Sequence, residues 1–145
     1  MILDVIHNYT DKYKFDNNQI NTLITSTINS EGREINSINL ILTDDEFLRK
    51  MKNIYFKQDV YTDVISFNLE GPNENIEGEI YISMDRIIEN AKLLKSSIDM
   101  ELKRIMIHGI LHLIGYKDQT NSQKENMTKL ENKYLAKNLK KVINH

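Results

Sequence analysis

Helical and strand-like periodicities alternate along 145 residues and predict one domain of mixed α and β structure over residues 1–145. Three observations carry this. Four short stretches rich in β-branched residues read as strands, and five with apolar residues at helical spacing read as helices. One of those helices, within residues 101–118, is apolar on nearly every side from Ile105 to Ile114 and therefore belongs inside the domain. A chain of this length builds one ordinary core, not two.

The first strand covers residues 2–6. Asp16 with Gln19 then forms a capping pair that opens a helix through Ile20, Leu23, Ile24 and Ile28. Glu31, Gly32 and Arg33 turn the chain into a second strand, residues 38–43. Thr43 with Glu46 fits a capping box and starts a short helix whose inner side would be Phe47, Leu48 and Met51. Residues 59–68 read as a third strand with its core at residues 64–67. An acidic turn-rich segment separates it from a fourth, residues 78–83; whether these two pair antiparallel is left open by the sequence. An amphipathic helix follows over residues 84–95, with Ile87, Ile88, Ala91 and Leu94 on one side. Ser96 and Ser97 break it and cap the central helix, where Asp99 and Glu101 suit the positive end of the dipole. Thr120 with Gln123 caps the last helix, which turns Met127, Leu130, Tyr134 and Leu135 inward.

Composition narrows the function. Hydrophobic residues make up 40% and charged residues 28%, with five glycines and one proline, a globular profile without linkers or repeats. With no cysteine there is no disulfide framework and no thiolate site, so any metal must be held by His, Asp or Glu. The opening residues lack a basic region followed by a long apolar core, and no apolar run approaches a membrane span; a soluble cytoplasmic protein is expected. A net charge of −2 does not advertise nucleic-acid binding, although local patches can act under it.

The central helix carries the chemistry. His108 and His112 lie four apart, on one face, so their imidazoles can converge on one point. Gly115 stands where helices commonly end in the left-handed conformation, and the chain then turns through Lys117 to deliver Asp118. Such a pair can be two core histidines bonded to carbonyls or two metal ligands. The expense of burying two polar rings in an aliphatic helix, and the carboxylate that the turn brings round, favour the metal.

The stretch HGILHLIGYKD closely resembles the signature of the YbeY family of bacterial rRNA maturation factors, H-G-x-L-H-L-x-G-Y-D-H. YTDVISFN resembles the family's T-D-V-L-S-F segment through Thr62, Asp63, Val64, Ser66 and Phe67, and GEIYIS its G-D-I-x-I-S strand through Gly78, Ile80 and Ser83. The likeness covers most of the chain from about Ile38 onward; before that only the order of elements matches. Two positions depart from it. Asp118 stands where the family usually has a third histidine, with Lys117 in place of an aspartate, and Phe56 and Lys57 stand where the family commonly has an arginine. Lys57 is a weak substitute, lacking the planar fork that grips phosphate.

The resemblance implies a zincin-like α+β fold, a small mixed four-stranded sheet packed with about five helices around the metal-binding helix. It implies one zinc ion per chain, held by His108, His112 and Asp118. Asp63, at the start of a strand in the second family-like block, is either a second acidic group near the metal with a catalytic role or a cap that hydrogen-bonds its loop, and Lys57 is the candidate toward substrate. Three protein ligands leave a fourth position, where zinc lowers the pKa of water from about 15.7 towards roughly 7. The implied function is a metal-dependent single-strand endoribonuclease in rRNA maturation, acting at the 3′ end of 16S rRNA, and in ribosome quality control. Its partners would be rRNA and the small ribosomal subunit, with no membrane. Lys129, Lys133, Lys137 and Lys141, spaced by four, form either a phosphate-binding face or a solvated one. The alternatives are a non-enzymatic ribosome-assembly or RNA-binding protein with a structural metal, and a metallopeptidase. Gly109 disfavours the second, since it occupies the position where H-E-x-x-H peptidases carry their general base. Ser66 reads as a packed strand residue, and Gly109 as the point where a strand or a substrate approaches the helix closely.

Overall fold

The computed structural model describes residues 2–9, 12–71 and 74–144, the side chains of 2 and 3 excepted. Its main sheet runs β1 (Ile2–His7), β3 (Ile35–Thr43), β5 (Ile76–Ser83) and β4 (Val64–Asn68), in that spatial order. β1 and β5 lie parallel to β3, and β4 lies antiparallel to β5, so the sheet is mixed, with β4 at one edge. The strand pair left open by the sequence is therefore antiparallel.

Among the described residues five helices accompany the sheet: α1 (Asn17–Ser30), α2 (Asp45–Phe56), α3 (Met84–Leu93), α4 (Ile98–Ile114) and α5 (Asn121–Lys137). Alternation decides which side of the sheet is covered. Leu40 and Leu42 of β3 and Ile80 and Ile82 of β5 are fully buried, in one cluster with Ile107, Ile110 and Leu111 of α4 and Ile20, Leu23 and Ile24 of α1. Burial at this scale, about 25 cal/mol per Å² of apolar surface, supplies most of the driving force for the fold.

α4 lies close against β4 and β5 because two positions have no side chain. A Cβ on Gly109 would stand 3.0 Å from Ile80 Cγ2 and 3.2 Å from Ser66 Oγ. A Cβ on Gly78 would stand 2.7 Å from the Phe67 carbonyl oxygen and 2.9 Å from Leu113 Cδ2. Of the two neighbours considered for Gly109, the strand is the one present. Ser66 Oγ donates to the Gly109 carbonyl at 3.1 Å, a packing role. Asn68 Nδ2 donates to the Leu113 carbonyl at 2.9 Å, so β4 also satisfies one of the helix's terminal acceptors.

Local signals at the helix starts hold in most places. Asp16 accepts from the Gln19 amide, Ser97 from Met100, and Thr120 forms a full capping box with Gln123. At α2 the cap is Asp44, not Thr43: Asp44 accepts from the Phe47 amide, while the Thr43 hydroxyl donates to Asn8 Oδ1 at 2.9 Å. Phe47 is exposed, where an inward position was expected, and so is Leu94 beyond the end of α3. Residues 59–63 are not strand; β4 starts at Val64.

A two-stranded sheet of β2 (Lys14–Phe15) and β6 (Ile143–Asn144) lies outside the sequence expectation. The reason is long-range. Asp99, expected to serve only the dipole of α4, is buried and accepts from the amides of Val142 (2.6 Å) and Ile143 (3.1 Å). Lys103, 2% exposed, pairs with Asp99 and donates to the carbonyls of Asn138 and Lys140. A buried ion pair thus ties the C-terminal segment to α4. No described helix is long and apolar enough to cross a membrane.

Candidate metal centre

The C-terminal turns of α4 position both histidines. Their Nε2 atoms lie 3.0 Å apart. Asp118 Oδ2 stands 3.3 Å from His108 Nε2 and 3.5 Å from His112 Nε2. α4 ends at Gly115 with φ 120°, a conformation that favours glycine, and this lets the chain fold Asp118 back over the helix.

The far side of each ring fixes its tautomer. His108 Nδ1 faces Glu131 Oε2 at 2.9 Å, and His112 Nδ1 faces the Tyr116 carbonyl at 3.0 Å. Both partners only accept, so each neutral ring carries its hydrogen on Nδ1 and turns the Nε2 lone pair inward. Three acceptor atoms then face one another, two nitrogens and a carboxylate oxygen. A divalent cation would reconcile them, as would a proton on one ring, and all three lie within 4.8 Å of one another. The donor set fits a divalent ion that accepts nitrogen and oxygen ligands.

Glu131 escaped the sequence reading. It is buried on α5, on the inward stripe of Met127, Tyr134 and Leu135, and it also pairs with Arg104 at 3.3 Å. A carboxylate among inward positions was the available signal. Glu31, just past the end of α1 and read from the sequence only as part of a turn, accepts from the hydroxyls of both Tyr116 and Tyr134 and so steadies the turn behind His112.

A cleft of about 570 Å³ opens over this group, with Asp63, Ser66, Lys52, Phe56 and Lys117 among its walls. Burial pushes the Asp63 carboxyl above the usual range, against the opposing pull of His108 and the amides of Asp63 and Val64. Burial acts against a charged His108, yet Glu131, Asp118 and Asp63 together raise its pKa above the ordinary value. Lys57 is not among the cleft residues; it is the exposed left-handed cap of α2, φ 56°. Lys52, one turn earlier on α2, is a wall of the cleft. Of the four spaced lysines, Lys129, Lys133 and Lys137 are exposed on α5, while Lys141 lies beyond the helix end and does not continue their row.

A family model described as Endoribonuclease YbeY matches residues 5–139, which extends the likeness through the N-terminal third. Relatives named Endoribonuclease YbeY include one from Christiangramia forsetii, 43% identical over 78% of this chain and 78% of that protein. Another, from Flavobacterium johnsoniae, is 40% identical over 89% of this chain and 93% of that protein. A third, from Amoebophilus asiaticus, is 39% identical over 92% and 90%. The solution structure of a Thermotoga maritima protein superposes with a TM-score of 0.62 at 22% identity, covering 93% of this chain and 90% of that one, a likeness of fold.

Proposed function

The chain belongs to the YbeY family of endoribonucleases, and from that premise we propose that it is a zinc-dependent single-strand endoribonuclease of rRNA maturation. In this reading it works in the cytoplasm, as one domain, on the RNA of the small ribosomal subunit. The observation that carries the metal is the convergence of three acceptor atoms from His108, His112 and Asp118.

A bound divalent ion would polarise a phosphodiester oxygen of the RNA and make water or a 2′-hydroxyl a competent nucleophile near neutral pH. The protein's own residues do the rest. His108 and His112 would hold the ion, their rings oriented from behind by Glu131 and the Tyr116 carbonyl. Asp118 adds the third donor and one negative charge where the family usually has a neutral histidine. Asp63, half-buried in the cleft wall, takes the proton released by the nucleophile, and burial favours its accepting that proton. Lys52 in the wall supplies positive charge to the phosphates, and Lys57, the exposed cap of α2 outside the cleft lining, adds to it. Gly109, packed against β4 and β5, leaves no general base at the peptidase position.

The test joins two readouts, elemental analysis of protein purified without chelators and cleavage of a single-stranded RNA, in the parent and in His112→Ala. About one zinc per chain and cleavage in the parent, both lost in a folded variant, is the expected result. Zinc without cleavage would favour a structural metal in an RNA-binding protein. No metal after incubation with excess zinc would end the proposal.

A further inference from the structure

Outside the metal centre, the face of α2 and β4 beside the cleft exposes a run of aromatic rings. Phe67 of β4 lies edge to face with Tyr55 (centroids 5.4 Å) and parallel to Phe56 (6.2 Å), and it also touches Tyr81 of β5 at 6.0 Å. Tyr55 is 63% exposed and Phe56 45%. Phe56 belongs both to this run and to the cleft wall, so the surface is continuous with the metal site.

The charges around the rings point to a kind of partner. Lys52 Nζ sits 4.8 Å from the centroid of Phe56 and has no ion pair among the described residues, so its charge is available at the mouth of the cleft. Arg49, by contrast, is held by Asp59 at 2.6 Å. Exposed rings beside an available cation suit a strand with planar faces and phosphates, since every unpaired base has a π-face and every nucleotide a negative charge. The lysine row of α5 lacks this combination, because Tyr134 beneath it is buried.

Building on the endoribonuclease reading, we propose that Tyr55 and Phe56, backed by Phe67, form a stacking platform for successive unpaired bases of an RNA strand whose phosphates pass Lys52 into the cleft. The platform selects single strands over duplexes, in which base faces are already covered. It does not read sequence.

The test is a titration of the protein with a single-stranded RNA of about ten nucleotides carrying 2-aminopurine, whose fluorescence falls on stacking. The parent should quench the probe and bind it more tightly than the corresponding duplex. Tyr55→Ala and Phe56→Ala should each weaken binding about tenfold and reduce quenching, with Tyr55→Phe restoring both. Far-ultraviolet circular dichroism and unchanged melting would show that the variants are folded. Parent-like affinity and quenching in both alanine variants, with RNA cleavage by the parent intact, would overturn the platform and leave the nuclease standing. A parent that neither binds nor cleaves the RNA would remove both. Unchanged RNA affinity together with lost self-association in sedimentation would reassign the surface to a protein contact and also overturn the proposal.

Discussion

The end of α4 and the end of α2 meet at one cleft, yet they are built in opposite ways. At α4 each side chain facing the cleft is held from behind: His108 by Glu131, His112 by the Tyr116 carbonyl, and the helix itself by Asn68 and the close approach at Gly78. At α2 the rings of Tyr55 and Phe56 are exposed and lean on Phe67, with no hydrogen bond among the described residues to fix them. Chemistry needs donors held to fractions of an ångström, and burial with paired polar groups supplies that. Capture of a flexible strand tolerates looser rings, because stacking has a broad geometric optimum.

The largest effect should come from removing a member of the held group. His112→Ala should abolish metal binding and lower RNA cleavage by more than about 100-fold, measured by elemental analysis and single-turnover rates. If the contrast between the two ends is correct, a substitution behind the site must matter as well. Glu131→Gln removes the charge that orients His108 while keeping its shape, and zinc affinity should fall about 10- to 100-fold in a competition titration. Unchanged affinity would mean that α4 alone orients the ring.

Packing of α4 on the sheet gives the next effect. Gly78→Ala would place a methyl group 2.7 Å from a backbone oxygen, and chemical denaturation should show a loss of about 2 kcal/mol. The smallest effect concerns a buried carboxyl in the first turns of α4. Burial raises the pKa of Glu101 above the ordinary value. As pH rises through the unfolded value the unfolded chain loses its proton first, so stability falls with pH until the folded value is passed. Glu101→Gln should therefore melt about 2 °C higher at pH 7 and show no gain at pH 4, by calorimetry.

The two ends also differ in how far the sequence reveals them. The four-stranded mixed sheet, the five helices and the buried α4 follow from local patterns and family likeness, and so does the approach of His108, His112 and Asp118. Their spacing on one helix and one glycine turn is a short-range matter, settled within about ten residues by helical geometry. What the sequence misplaced depends on distant partners. Phe47 and Leu94 have the periodicity of inward residues, but no core reaches them. Thr43 has the chemistry of a cap, but Asn8 engages its hydroxyl.

The amino-acid sequence by itself determined the identities and local spacing of the candidate ligands, the helix that carries them and the glycine that lets the turn close. Only the tertiary structure decided that Glu131 orients His108 from 23 residues away and that Asp99 and Lys103 hold the C-terminal segment. It also decided that α2 leaves its rings beside the candidate metal centre. The physical reason is common to all three. A side chain's partner across the fold is chosen by which surfaces pack together, and periodicity along one segment says which face is apolar without saying what will lie against it.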